Sequence, residues 1–514
     1  MNMVFTTNMK NKILFFTDGW FLNYGIAKFL QENSDHELYA IIDVADKAKI
    51  FFQNQKFVNY KKIWYFMDYI KKTNKLPDLE YLSSIEKKYK INLWSIAFTD
   101  REFHLYSTVH KFTEQEILSL LEQECKFFEK VLDEVNPDFL SIMLSTSHSH
   151  ELLCALCKGR GIKTLMLSTS RLRHGMLISQ EGGILDNKNF QNYASKLTPK
   201  EQEDYIVNYH ASKEMDEYKK SNYENHLADR YISLLKFFFL PKSDSYKNRY
   251  ANYGRTRKNV LKYKLGHFLR KRYRYFFINR NFKQTLDNKT RFIYFPLQME
   301  PERVLLVSAR YYTNQISVIT NIAKSLPVGF QLYVKEHPIM SIWGWRSTNF
   351  YKQIMDLPNV KLIHPSMHSD EIISKSSLVI TIAGTAAQEA AFHHKPAITF
   401  TDQIYCILPS VYKLNNIEEL PEAIRTSLEK KVTDNSICNF IEIMKKETFD
   451  FPLVAISSDF TYRFGFKGLI MDADLPIQKV EQFLNDYEAE FKKLALEHEK
   501  KIKEYNKQSV TSST

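Results

Sequence analysis

Two short segments carry residue types suited to holding a phosphate. Lys335-Glu336-His337-Pro338 follows the apolar run 331–334 (QLYV), and Gly384-Thr385-Ala386-Ala387-Gln388-Glu389 follows 378–383 (LVITIA). A cation and an imidazole donor suit an anionic leaving group. A glycine allows a tight turn in which backbone amides face a ligand, and Thr385 can cap the helix-forming run that follows. Unpaired N–H groups at the start of such a helix attract a phosphate. Glu389, one turn further on, is placed to accept hydrogen bonds from a ribose. A Gly-Thr turn or a His-Pro loop start also occurs where nothing binds, so these residues taken singly leave both readings open.

The elements that must position them follow from periodicity. Apolar, β-branched runs at 13–16, 38–43, 139–144 and 164–167 alternate with helical patterns such as 113–135, which predicts a doubly wound parallel sheet. Thr113 and Glu116 have the spacing of a capping box at the start of that long helix. The alternation resumes at 292–295, 331–334, 360–363, 378–383 and 397–400, with helices near 313–325 and 369–376. The fold class is therefore α/β, with two Rossmann-like domains facing a cleft. The predicted division is 1–180, a helical and strongly basic connector at 181–290, a second sheet domain at 291–475, and a C-terminal helix with a frayed tail at 476–514. Ligands of such sheets sit at the carboxyl ends of the strands, where both segments fall. The stretch 478–507, rich in Glu, Lys and Leu at helical spacing, reads as a solvated helix bracing the two domains.

The array Tyr294-Phe295-Pro296-Leu297-Gln298, Glu300-Pro301-Glu302, Lys335-Glu336-His337-Pro338, Gly384 through Glu389 and Lys395-Pro396 resembles the C-terminal half of bacterial capsule and surface polysaccharide biosynthesis proteins. These are GT-B glycosyltransferases, similar to the Kdo transferases of capsule assembly and more distantly to CDP-glycerol glycerophosphotransferases. The resemblance covers residues 291–402 and continues more thinly through 93–101 (LWSIAFTDR) and Asn136-Pro137-Asp138. It implies a nucleotide-activated donor in the second domain and a glycan or lipid-linked acceptor in the first. By the same resemblance His337 and Lys335 meet the donor phosphate, Gly384 and Thr385 cradle it, and Glu389 holds the ribose. A CMP-linked ulosonic acid such as Kdo is the more specific donor. A CDP-polyol phosphotransferase, a GT-B-shaped epimerase and a non-catalytic binding protein are the alternatives.

Transfer also needs a base for the acceptor hydroxyl. Asp18, on the loop after the first strand, is the candidate, with a turn or cap as its other reading. Asp100, next to Arg101, reads as a base or as half of a structural ion pair. Glu300 or Glu302 contacts the donor sugar or forms an exposed turn, and Arg310 is a phosphate partner or a surface arginine. No DxD motif stands beside a strand end, so neither a metal nor a cofactor is expected, the nucleotide sugar being a substrate.

Charge is distributed unevenly along the 514 residues, whose formal net charge is +12. Segment 236–283 holds 15 Lys and Arg against the single acid Asp244, a surplus of +14 that leaves the remainder slightly acidic. Interleaved aromatics suit this run to an anionic membrane surface, with Arg270, Lys271, Arg272 and Arg274 as candidate contacts. A solvated connector and a nucleic-acid site are the other readings; no nucleic-acid fold signature accompanies the run, so no nucleic-acid partner is expected. No apolar window is long enough to span a bilayer and no signal peptide is recognised, which predicts a cytoplasmic protein at the inner face of the membrane. Five scattered cysteines argue against a disulfide framework. Cys154 and Cys157, three apart on a helical pattern, read as core residues rather than zinc ligands, while His148 and His150 follow a strand end where they can face the cleft.

Overall fold

Side chains on β1 (Lys12–Thr17) alternate between two cores, Ile13 and Phe15 entering one and Leu14 and Phe16 the other. A strand buried on both faces belongs at the centre of a covered parallel sheet, and β1 lies there. The computed structural model describes residues 10–19, 21–103, 109–144, 147–172, 174–187, 198, 200–201, 235, 238–239, 247–287, 289–300, 302–464 and 474–511. The neighbours of β1 are β2 (Glu37–Ile42), β3 (Lys62–Tyr65), β4 (Phe139–Met143), β5 (Lys163–Thr169) and β6 (Gly175–Ser179), in the order β6-β5-β4-β1-β2-β3. All pairs are parallel except β5 with β6.

The second sheet is wholly parallel. It comprises β7 (Arg291–Pro296), β8 (Phe330–Lys335), β9 (Val360–Ile363), β10 (Leu378–Thr381), β11 (Ala397–Thr399) and β12 (Val411–Lys413), in the order β12-β11-β10-β7-β8-β9. Both sheets thus reverse direction beside their first strand, between β1 and β4 and between β7 and β10, which creates a crevice at the carboxyl ends of those strands. β7 repeats the alternation of β1, with Ile293 and Phe295 in one core and Phe292 and Tyr294 in the other. The helix Glu114–Val135 starts with the expected capping box between Thr113 and Glu116.

The C-terminus departs from expectation. Two helices, Ile477–Asp486 and Glu488–Thr511, replace the single solvated brace, and Val480, Phe483, Phe491, Leu494, Ile502 and Tyr505 are buried in the core of the first domain. Their apolar stripe covers the helix Leu22–Asn33. A Cβ added at Gly25 would lie 2.2 Å from Phe491 Cε1, so glycine is required for that approach. The chain crosses back well before residue 476: Phe449–Asp450 (β13) pairs antiparallel with β6, and Phe451, Ile456 and Phe460 join the same core. The boundary expected at 475 therefore falls after the crossing.

About half of the connector lies outside the described residues. Its visible part first closes over the first domain, with Arg249 paired to Asp43 at 2.7 Å and the Tyr250 hydroxyl donating to Asp100 at 2.8 Å. It then forms the helix Arg257–Asn281, tied to the second domain by His267 at the Trp343 carbonyl (2.9 Å) and by Arg274 at the carbonyls of Gly344 and Trp345 (3.1 and 2.7 Å). Arg274, expected at a membrane surface, is thus an internal anchor. Among the described residues no helix is long and apolar enough to cross a membrane.

Candidate functional site

The crevice of the second sheet is built around Thr381, at the end of β10. Its hydroxyl oxygen accepts from Gln298 Nε2 at 3.0 Å and from the Gly384 backbone N–H at 3.1 Å. Gln298 arrives from the other wall, two residues beyond β7. A Cβ at Gly384 would stand 2.8 Å from Thr381 Oγ1 and 2.9 Å from Gln298 Nε2, so close approach is what demands glycine here. Thr385 does not cap the helix Ala386–Phe392 with its side chain; its hydroxyl donates to Glu389 Oε1 at 2.7 Å. The two predicted ligand residues therefore hold each other.

The Lys335-Glu336-His337 segment divides by direction, as alternation along a strand requires. Lys335 is almost wholly buried with Nζ on Ser369 Oγ at 2.9 Å. Glu336 is fully buried and accepts from Arg346 Nε (2.9 Å), the Tyr351 hydroxyl (2.6 Å) and the His337 N–H (2.7 Å). His337 Nδ1 accepts from the Ile339 N–H at 3.3 Å. A neutral ring accepting at Nδ1 carries its proton on Nε2, a donor of the kind a phosphate oxygen takes. Arg346 also pairs with Glu300 and donates to the Gln298 carbonyl, while the Gln315 side chain donates to Glu300. One buried guanidinium thus ties the loop after β7 to the loop after β8, and Glu300 is part of that tie. Surrounding carboxylates outweigh burial and raise the Arg346 pKa.

Arg310 leaves the second domain and reaches the first, with Nη2 on Glu151 at 2.9 Å and Nη1 on Ser95 Oγ at 3.2 Å. Arg303 stands nearby, its Nη1 on Ser308 Oγ at 3.2 Å and its buried Nε without a partner among the described residues. Burial lowers the Arg303 pKa, Glu151 opposes that, and Arg171 and Arg310 reinforce it. Burial also raises the pKa of Glu302, against Arg171 and Arg303. A cavity of about 340 Å³ opens beside this seam, lined by Arg310, Tyr311, Tyr312, Phe400, Asp402 and Lys413.

Asp18 directly follows β1, at the crevice of the first sheet, and is partly buried. Behind it lies a cluster that the sequence did not reveal. His148, at the start of the helix His148–Gly159, is fully buried, with Nδ1 on Asp100 Oδ2 at 2.8 Å and Nε2 on Glu124 Oε1 at 3.0 Å. Burial opposes a charged ring, but Glu124 and Asp100 outweigh it and push the His148 pKa up to about 10. Asp100 is lowered despite burial, whereas burial raises Glu124. The partner of Asp100 is therefore His148 and not Arg101, whose nearest carboxylate is Glu102 at 4.0 Å. No local pattern marks this triad, because its members are 24 and 48 residues apart.

His150, on the same helix, is buried without a partner for Nδ1 among the described residues, and burial lowers its pKa to about 4. His498 behaves alike, at about 4. Both are neutral when folded and titrate near 6.5 when unfolded, so the unfolded chain binds more protons between those values. Stability is expected to fall as pH drops from about 6.5 towards 4, by up to roughly 3 kcal/mol per histidine. Urea unfolding across that range checks this, and His498→Leu should remove about one proton from the slope. Cys157 is core and Cys154 packs against it. Among the described residues no three His, Cys, Asp or Glu side chains gather as a metal site.

Two Rossmann-ordered sheets with opposed crevices, and a C-terminus that returns to the first, define a GT-B-like architecture. Over residues 192–409 the chain matches the model of a family described as capsule polysaccharide biosynthesis protein, in agreement with the resemblance carried by the motifs from Tyr294 to Pro396. No curated protein sequence matches the chain. Solved structures similar to it include the UDP-GlcNAc 2-epimerase of Methanocaldococcus jannaschii, at 15% identity over 85% of this chain and 100% of that one, with a TM-score of 0.23. The Thermosulfurimonas dismutans KpsC beta Kdo 2,4 transferase is 12% identical over 59% of this chain and 78% of that one, with a TM-score of 0.31.

Proposed function

We propose that this protein is a glycosyltransferase that moves a sugar from a nucleotide-activated donor to a glycan or lipid-linked acceptor in capsule polysaccharide synthesis. The carrying observation is the convergence of Gln298, Gly384-Thr385 and His337 at the carboxyl edge of β7, β10 and β8. In this reading His337 donates to the departing phosphate through Nε2, and Gly384 and Thr385 let it approach the backbone. Glu389 accepts from the ribose once Thr385 releases it. Lys335 contributes charge from beneath, through a buried ammonium. The cavity beside Arg310 is of the size that small ligands occupy and offers Tyr311 and Tyr312 to a nucleobase. Arg310 exchanges Glu151 for a donor phosphate, Glu300 holds the donor loop in shape, and Asp18 takes the acceptor proton across the cleft. A CMP-linked ulosonic acid is the donor we favour. In this reading the reaction takes place in the cytoplasm at the inner face of the membrane, whose anionic surface would attract the surplus positive charge of segment 236–283.

Thermal and urea unfolding with CMP, CDP, UDP or GDP tests this reading. One nucleotide at about 100 times its dissociation constant should add roughly 2.7 kcal/mol of stability. His337→Ala should abolish that gain while leaving the unliganded protein folded. A gain unchanged by His337→Ala would remove the histidine from the site. Conversion of the donor without any acceptor would favour an epimerase instead.

A further inference from the structure

The helix Arg257–Asn281 is turned inside out. Its inward seam, spaced every three or four residues, consists of Tyr263, His267, Lys271, Arg274 and Ile278, of which only Ile278 is wholly buried. Two of these reach the carbonyls of the 343–345 turn, while Ile278 and Phe277 anchor only the C-terminal end in the core of the second domain, so over most of its length polar contacts hold the helix to its domain. The opposite side carries Leu261, Leu265, Phe268, Leu269 and Phe276, each at least half exposed. At 100° per residue these five fall within an arc of about 100°, shared with Lys258, Arg272 and Asn279, so an apolar stripe interrupted by basic and polar side chains faces away from the protein. Aromatic Tyr273 and Tyr275 flank it and are also more than half exposed. A helix packed for solvent shows the reverse arrangement, and an apolar stripe of this size left in water is costly.

Charge identifies the occupant. The helix has nine Lys and Arg and no Asp or Glu, and Lys258, Lys262, Arg272 and Arg280 lie in or beside the stripe and are exposed. We infer that this face of the helix lies flat on an anionic lipid bilayer, with the leucines and phenylalanines below the headgroups and the basic side chains among them. A protein partner of this stripe would need matching acids along the whole helix; a phosphatidylglycerol-rich surface supplies them without a specific fold. The inference deepens the membrane-surface part of the proposed function, and its test does not involve the transfer reaction. Arg274 takes no part, because its guanidinium is held by the second domain.

Flotation of the whole chain with phosphatidylcholine vesicles, with and without phosphatidylglycerol, tests the assignment. Binding is expected only with phosphatidylglycerol and should weaken with salt. Leu265→Glu with Phe268→Glu should abolish it, and Lys262→Glu with Arg272→Glu should lower it on the order of tenfold or more. All four residues are exposed, so the nucleotide-induced stability gain should persist in both variants, and its absence from the parent protein would count against the donor site alone. Equal binding to neutral vesicles, no binding to anionic ones, or binding unaffected by the Leu265 and Phe268 changes would overturn the inference. So would dimers in light scattering that the Leu265 and Phe268 changes dissolve, which would make a second copy the occupant.

Discussion

His148→Leu is expected to cost about 3–5 kcal/mol of stability, more than any other single change in the first domain. The imidazolium is fully buried and is hydrogen-bonded by Asp100 and Glu124 on its two nitrogens. Removing it leaves two carboxylates at one site with no compensating charge, the case in which breaking a buried pair is most destabilising. Glu124→Leu should cost less, because His148 and Asp100 remain paired and Tyr250 still donates to Asp100. The double variant should recover part of the loss, since one uncompensated carboxylate is then gone. Urea unfolding of the four proteins at neutral pH measures all three differences as one cycle. The sign with pH follows from the raised pKa of about 10. The stabilisation is complete below about pH 6.5 and declines as pH rises towards 10. His148→Leu should therefore lose that alkaline decline, and a parent protein equally stable at pH 7 and 9.5 would contradict the assigned charge.

What the sequence made legible was whatever depends on local pattern. The buried strands of both sheets are continuous apolar runs, and their ends were located to within a residue or two, because a parallel strand buried on both faces has no other composition. The capping box at Thr113 was equally local. Four strands escaped: β3, β12 and β13 are edge strands of four residues or fewer, such as Phe449–Asp450, whose two residues carry no periodic signal, and β6 runs antiparallel outside the strand-helix alternation. The C-terminal helix was recognised but not its place. Its apolar stripe is complementary to a helix more than 450 residues earlier, and packing at that separation has no sequence signature. The site shows the same division. Gly384 and His337 stood out because each follows a strand end. Arg346, His148 and Glu124 did not, because a buried charge is defined by partners that only folding brings together. Lys335 and Glu300 show the converse: residues that look like ligands can be held by Ser369 and Arg346.

Arg346 makes the most exacting link between stability and the donor site. Arg346→Leu is expected to cost about 3–5 kcal/mol, because Glu336 is fully buried and Glu300 partly so, and both lose the guanidinium that pairs them. The effect on the site should exceed what destabilisation alone produces. Glu336 bonds both Arg346 and the His337 N–H, and Arg346 also holds the Gln298 carbonyl, so one side chain fixes two walls of the crevice relative to each other. Arg346→Lys should keep the charge but not the three-way geometry, since an ammonium cannot reproduce a planar fork. It should therefore recover much of the stability while nucleotide affinity stays at least tenfold below that of the parent, about 1.4 kcal/mol. Unfolding midpoints with and without the nucleotide that binds, compared for the parent, Arg346→Lys and Arg346→Leu, separate the two effects. If Arg346→Lys regains stability and affinity together, the guanidinium is only a neutralising charge beneath the fold. If stability returns without affinity, the position of His337 is set by the Glu336 carboxylate that Arg346 orients.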